Sequence, residues 1–319
     1  MKFTFLGTSA GVPTKKRNVT GLAIGLEREK TWCLIDCGEG TQHQLLHTPY
    51  SLAALEAIFI THVHGDHCYG LPGILASAGM DGRQSAIKVI APASIKEFID
   101  VTLKTTDCFI PYPIEFIATE NLKAPIEVAG FEVEAFELLH RVPCHAWRFT
   151  ESNLAHKLNI EKLEQENIPK GPIWGKLCKG ETVTLDNGHK LIGKDYWITD
   201  HRVRKVIVAG DNCKPELLSQ AAHNIDVLIH EATYTQEVSD KVGPSPMHSS
   251  AKEVALMANY INLPNLVLTH FSARYSDFGD SSIDLIRQEA EDNYNGKLFL
   301  AQDLESYHLK KNGQLCIDH

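Results

Sequence analysis

Short apolar runs rich in β-branched and aromatic residues recur along the chain at residues 3–6, 32–35, 57–60, 88–90, 206–209, 227–229 and 266–268. Each has the length of a buried strand. Between them lie helical patterns at 92–104, at 215–222 with proline in the first turn, and at 250–259. The last opens Ser250-Ala251-Lys252-Glu253, the spacing of a capping box. Strands alternating with helices predict an α/β sheet covered on its faces. A chain of 319 residues, 43% hydrophobic and 22% charged, can bury a sizeable core without staples, which excludes a disordered or fibrous protein. No apolar run approaches the roughly 18 residues that span a bilayer. The opening Met1-Lys2-Phe3-Thr4-Phe5-Leu6-Gly7 is too short for a signal-peptide core, so a soluble, cytoplasmic protein is expected. The eight cysteines are scattered singly with no Cys-x2-Cys pair. They predict neither a disulfide framework nor a zinc ribbon, and most are expected to be small buried hydrophobes.

From 151 to 196 the pattern changes. The apolar period weakens, and Pro169-Lys170-Gly171-Pro172 and Asp186-Asn187-Gly188 mark turns. Between Lys170 and Lys194 five lysines face only Glu181 and Asp186, in a chain whose net charge is −9. An exposed, solvated insertion is one reading and a projecting basic arm is the other. The overall acidity excludes a general nucleic-acid binder, because phosphate affinity needs concentrated Lys and Arg. Any nucleic acid must be met by local basic patches.

Sixteen histidines suggest metal chemistry, provided they converge. In Ile58-Phe59-Ile60-Thr61-His62-Val63-His64-Gly65-Asp66-His67 a buried run ends and four candidate ligands follow within six residues. His62 and His64, two apart in a turn, can present nitrogens to one cation, and Asp66 and His67 can reach a second beside it. Imidazole with carboxylate is the donor mix of zinc and its neighbours. Further ligands must come from distant strand ends. His140 follows Leu138-Leu139, Asp211 follows Val206-Ile207-Val208-Ala209-Gly210, and His270 follows Leu266-Val267-Leu268-Thr269. Taken singly, these residues also read as a loop histidine, a turn former and a capped core residue. Their shared place after buried runs lets all three line the same edge of the sheet.

These motifs resemble the metallo-β-lactamase fold and, within it, the ribonuclease Z family of tRNA 3′-processing nucleases. The resemblance covers nearly the whole chain. It runs through Phe5-Leu6-Gly7-Thr8-Ser9, the Pro13-Thr14-Lys15-Lys16-Arg17-Asn18 loop, Asp36-Cys37-Gly38-Glu39-Gly40-Thr41-Gln42, His62–His67, His230-Glu231-Ala232-Thr233 and Thr269-His270-Phe271-Ser272 with Arg274-Tyr275. His248-Ser249-Ser250 stands where the family usually has His-Ser-Thr, and Asn212 where it usually has Thr. Neither departure removes a ligand or a charge.

The resemblance implies a four-layer αββα sandwich in a single domain, 1–319, with a flexible tRNA-binding arm inserted at 151–196 that includes Gly171 and Pro172. It implies two divalent metal ions per subunit, zinc first, with manganese or iron as alternatives. His62, His64 and His140 would hold one, Asp66, His67 and His270 the other, and Asp211 would bridge them. Asp66 would also orient the nucleophile or take its proton. His248 would protonate the leaving 3′ oxygen, with Glu231 holding its other nitrogen. Lys15, Arg17 and Asn18 would form an RNA-facing loop, beside the small-residue loop Thr8-Ser9-Ala10-Gly11. Ser272 and Arg274 would bind the scissile phosphate. Met247 and Phe271 read as packing residues. The partners implied are precursor tRNA and a second copy of the chain, with no membrane. Two competitors remain open at this point. A small-molecule metallohydrolase of the same superfamily would share the ligands but has no use for the arm. A catalytically silent RNA-binding module would be expected to have lost ligands.

Overall fold

Successive side chains of a strand point to opposite faces, and here both faces are apolar. In the strand Lys205–Ala209, Val206 and Val208 enter one buried cluster while Ile207 enters another. In Trp32–Cys37, Cys33 and Ile35 join the first cluster, and Trp32, Leu34 and Cys37 join a third. This explains why the runs read as continuously hydrophobic rather than alternating. The computed structural model describes every residue except 153, 155, 200, 201, 277 and 319.

The chain divides into two compact units, Met1–Thr150 with Arg204–His319, and Glu151–Val203. In the first unit an eight-stranded sheet runs in the order Leu315–Asp318, Ser306–Leu309, Lys2–Gly7, Gly21–Gly25, Trp32–Cys37, Leu55–Phe59, Ile87–Ala91 and Ile114–Ala118. It is antiparallel up to Trp32–Cys37 and parallel thereafter. A seven-stranded sheet runs Lys297–Leu300, Asn265–Thr269, Val227–Glu231, Lys205–Ala209, Cys144–Glu151, Phe131–Leu138 and Ile126–Val128. Its first four strands are parallel. Phe3, Phe5, Ile35 and Phe59 from one sheet meet Phe131, Trp147, Phe149 and Ile229 from the other in a fully apolar interior. The outer face of the first sheet is covered by Leu71–Met80 and Ser94–Thr105, and that of the second by Ala251–Tyr260 and Asp284–Glu291. The unit is therefore the expected αββα sandwich, with two sheets where strand alternation alone predicts one.

The unit Glu151–Val203 is not irregular, despite its weak periodicity. It holds helices Ile160–Gln165 and Pro172–Cys178, a hairpin of Thr182–Thr184 with Lys190–Ile192, and the antiparallel pair His156–Leu158 and Trp197–Thr199. Leu163, Ile168, Leu177, Val183, Leu191 and Tyr196 form its own core. The turn expected at Asp186-Asn187-Gly188 closes the hairpin, with Gly188 at φ +80°. All five lysines between 170 and 194 are exposed.

Two expectations need correction. The pattern at 215–222 is a 3₁₀ turn, Pro215–Leu218, rather than a full helix. Four of the eight cysteines are buried (Cys33, Cys37, Cys68 and Cys144), while Cys178 is exposed and the other three lie between.

The capping box is present. Ser250 accepts the Glu253 N–H at 3.2 Å, and Glu253 accepts the Ser250 N–H at 2.9 Å. Ser250→Ala should cost about 1 kcal/mol, the usual loss of a hydroxyl cap. The expected result is a lower urea midpoint at unchanged slope, with Ser250→Thr close to wild type. An unaltered midpoint in the alanine variant would remove the cap from this account.

Candidate metal centre

All seven proposed ligands stand just beyond the carboxyl ends of strands. Leu55–Phe59 leads to His62 and His64, and His64 opens the one-turn helix Gly65–Cys68 that carries Asp66 and His67. Phe131–Leu138 leads to His140, Lys205–Ala209 to Asp211, and Asn265–Thr269 to His270. The loops come from both sheets, so the centre lies along one edge of the sandwich. Gly210 makes room for it: a Cβ there would lie 2.6 Å from Cys144 Sγ and 2.6 Å from Thr61 Cβ. A side chain would push Asp211 out of place.

The donor atoms form two sets. His64 Nδ1 is 3.0 Å from His62 Nε2 and 3.2 Å from His140 Nε2, and Asp211 Oδ2 is 3.6 Å from both of those Nε2 atoms. On the other side, Asp66 Oδ2 is 3.4 Å from His67 Nε2 and 3.4 Å from His270 Nε2. Asp211 Oδ1 is 3.4 Å and 3.3 Å from the same two nitrogens. Asp211 thus offers one oxygen to each set. A tetrahedron with metal–nitrogen bonds of about 2.0–2.1 Å has edges of roughly 3.3–3.4 Å, within the spread of these separations. His67 Nε2 is buried without a hydrogen bond. A fully buried polar atom left this way is costly unless something else pairs with it, and a cation held by the set would do so.

The ring orientations agree. His67 Nδ1 donates to Asp36 Oδ2 at 2.7 Å, and His140 Nδ1 donates to the Met247 carbonyl at 3.0 Å. His270 Nδ1 lies 3.2 Å from Thr233 Oγ1. Each contact puts a hydrogen-bond partner on Nδ1 and turns Nε2 inwards towards the other donors, as ligating histidines require. Burial would lower the His67 pKa, but the surrounding Asp211, Asp36 and Asp66 carboxylates hold it well above the ordinary range, so a cation at Nε2 would take the place of a proton. Burial and the neighbouring imidazoles push His62 and His64 below the ordinary histidine range. Burial also lowers His140, against the opposing pull of Asp211. Neutral rings with free lone pairs result.

His248 behaves differently. Burial would lower its pKa, but the charge and hydrogen bond of Glu231, with Asp211 and Asp66, raise it to about 9. Its Nδ1 lies 3.1 Å from each Glu231 oxygen. Glu231 is itself buried and accepts the Asn212 N–H at 2.7 Å and the Thr233 hydroxyl. Burial raises the Glu231 pKa, and His248 chiefly brings it down to about 2. The pair is an imidazolium held by a locked carboxylate through neutral pH.

The remaining candidates are more dispersed. Ser272 Oγ accepts from Arg274 Nε at 3.2 Å, and the Arg274 guanidinium lies 5.1 Å over the Tyr234 ring, two to four residues from His270. Lys15 is exposed. Arg17 Nη1 donates to the Tyr275 carbonyl at 3.0 Å, and its guanidinium sits 5.7 Å over Phe271, which ties the loop to the His270 segment. Asn18 is part-buried, and its backbone carbonyl accepts the N–H groups of Thr8 and Ser9. Gly171 and Pro172 lie exposed at the start of a helix in the inserted unit. Residue type and spacing point to no role for Thr233, the Met247 carbonyl or the Gly11 N–H, which donates to Asp66 Oδ2 at 2.8 Å. Asp36 carries a usable signal, since it too follows one of the buried runs. Met247 reads as packing in the sequence, but its contribution here is a backbone carbonyl.

The chain is 51% identical to ribonuclease Z of Marinobacter nauticus over the full length of both proteins. The chain belongs to the ribonuclease Z family. It is also 40% identical to ribonuclease Z of Bacillus subtilis, over 92% of this chain and 94% of that protein. The short form of human tRNase Z superposes with a TM-score of 0.66 at 24% identity, covering 97% of this chain and 100% of that one, a likeness of fold. A family model described as anti-Pycsar protein Apyc1 matches residues 1–108.

Asp36→Asn places an amide against His67 Nδ1 and favours the wrong tautomer. Loss of such an outer partner typically lowers metal affinity by about 10–100-fold. Chelator competition should read that drop with little change in far-UV circular dichroism. Unchanged affinity would make Asp36 a fold residue only.

Proposed function

We propose that this centre removes the 3′ trailer from precursor tRNA by hydrolysis, leaving a 3′-hydroxyl on the tRNA and a 5′-phosphate on the trailer. The observation that carries the reading is Asp211, whose two carboxylate oxygens each face a separate histidine set at 3.3–3.6 Å. That is the donor arrangement for two cations side by side, in a chain of the ribonuclease Z family. When bound, two divalent ions supply Lewis-acid stabilisation of both the attacking and the leaving oxygen of an in-line displacement. Zinc suits the histidine-rich donors, and manganese or iron accept the same set.

The chain's own residues divide the remaining work. Asp66 commits Oδ2 to the ligand cluster and to Gly11 N–H. Its Oδ1 is then the atom assigned to orient the attacking water and take up its proton. Protonated His248, fixed through Nδ1 by Glu231, donates from Nε2 to the leaving 3′ oxygen. Ser272 and Arg274 hold the scissile phosphate, the guanidinium fork matching its oxygens. Lys15, Arg17 and Asn18 belong to the loop assigned to the RNA end. The five exposed lysines between 170 and 194, with Gly171 and Pro172, supply the remote grip on a substrate much larger than the cleft. A small-molecule hydrolase needs neither. Among the described residues no helix is long and apolar enough to cross a membrane. A homodimer in the cytoplasm completes the assignment on the family resemblance, and light scattering should find two chains per particle.

Metal-loaded protein should cut a trailer-bearing precursor tRNA at the 3′ side, and end-labelling should find the two termini named above. Hydrolysis of small esters alone would favour the small-molecule reading. Asp211→Ala should abolish phosphodiesterase activity and leave neither ion bound by elemental analysis; two retained ions with normal turnover would end the bridging assignment. His248→Ala should keep its metal while RNA cleavage slows by roughly 10²–10⁴-fold. A substrate with an activated leaving group needs little protonation and should lose far less. Equal losses on both would assign His248 to structure instead.

A further inference from the structure

The loop from 8 to 18 is closed at its base by a carboxylate that no step above uses. Asp303 Oδ1 accepts the Thr8 hydroxyl at 2.7 Å. Its Oδ2 accepts the Asn18 N–H at 2.6 Å and the Gln44 side-chain amide at 3.1 Å. The Asn18 carbonyl meanwhile accepts the Thr8 and Ser9 N–H groups at 3.0 and 2.9 Å. Both ends of the loop are therefore held to one side chain and to each other. Asp303 has a firm footing of its own, because the next residue, Leu304, donates its N–H to the carbonyl of buried Phe5 at 2.7 Å.

Three residues into the same loop, Gly11 N–H reaches Asp66 Oδ2 at 2.8 Å. Gly11 adopts φ +70°, which aims its N–H there without a Cβ penalty. The loop is thus clamped at its base by Asp303 and, three residues on from Thr8, holds the carboxylate beside the two donor sets. We propose that Asp303 is a positioning residue for the reaction: by clamping both ends of the 8–18 loop it fixes Gly11 N–H on Asp66 Oδ2 and so leaves Oδ1 aimed at the nucleophile. This inference rests on the role assigned to Asp66 above. Asp303 is not itself one of the seven proposed ligands, so its loss removes no metal donor and acts through the geometry of the loop. A misdirected catalytic group held slightly out of line can cost about a hundredfold in rate without any lost contact to substrate.

The test compares Asp303→Ala, Asp303→Asn and Thr8→Val with wild type, on precursor tRNA and on bis(p-nitrophenyl) phosphate. Metal content and thermal midpoint are measured in each variant. The expected result is full metal content in all three. For Asp303→Ala, kcat per loaded site on the small diester should fall about 10–100-fold, with partial recovery in Asp303→Asn, whose carbonyl can still accept the Asn18 N–H. The KM for precursor tRNA should rise as well, because the same loop carries Lys15 and Arg17. Unchanged kcat per loaded site on the small diester overturns the proposal, whether or not tRNA cleavage suffers. So does a drop in kcat that tracks lost metal. If the alanine variant does not fold, the other two carry the same comparison. Failure of the wild type to cut precursor tRNA would count against the proposed function, while the small diester would still decide the role of Asp303.

Discussion

Five imidazoles and two carboxylates brought within about hydrogen-bonding distance of one another leave buried donor atoms without a good hydrogen bond unless a cation joins them. His67 shows the difficulty most plainly: fully buried, with Asp36, Asp66 and Asp211 around it, it still leaves Nε2 without a hydrogen bond. Such a cluster persists only where the surrounding fold over-determines it. The sandwich does this by drawing the ligands from strand ends of both sheets, whose shared interior of Phe59, Trp147, Phe149 and Ile229 fixes one sheet against the other. Small changes in how the sheets pack would move His62 relative to His140 and Asp211, so the apolar interior and the donor geometry are one problem.

Part of that fixing is done by strained backbone. Asp36, Met247 and His270 all adopt φ near +57°, in the left-handed region that non-glycine residues seldom enter. Conformations of this kind cost on the order of 1 kcal/mol or more each. Each here aims one atom: the Asp36 carboxylate at His67, the Met247 carbonyl at His140, and the His270 ring at Asp66 and Asp211. Extended or helical backbone at these positions would carry the same groups elsewhere.

The converging donor residues are legible in the sequence because metal chemistry needs side chains of rare type in a fixed relation to strand ends, and short apolar runs mark those ends well. The supports are not. A carbonyl at Met247 or an N–H at Gly11 leaves no trace in residue type, and Asp303 lies 285 positions from the Asn18 it holds. The order within the inserted unit is hidden for a related reason. Its helices and strands run from three to seven residues, too few for either period to show, and its core needs only a handful of apolar side chains. At 215–222 the leading proline promises a helix, but the chain leaves the pattern after one turn to reach the strand Val227–Glu231.

Charge completes the connection between fold and substrate. Asp36, Asp66, Asp211 and Glu231 make the bare centre acidic, and the whole chain carries −9, so a polyanionic RNA meets repulsion from both. Two divalent ions held as proposed above would add four positive charges and reverse the local sign, and the exposed lysines between 170 and 194 are the other cations proposed to meet phosphate. Attraction is then confined to places where cations are held, and the acidic remainder of the surface discourages RNA from binding elsewhere. On the proposed function, metal loading and substrate recognition would be coupled through electrostatics. An acidic protein with two adjoining donor sets and one cluster of exposed lysines between 170 and 194 needs no general affinity for nucleic acid in order to select the end of one.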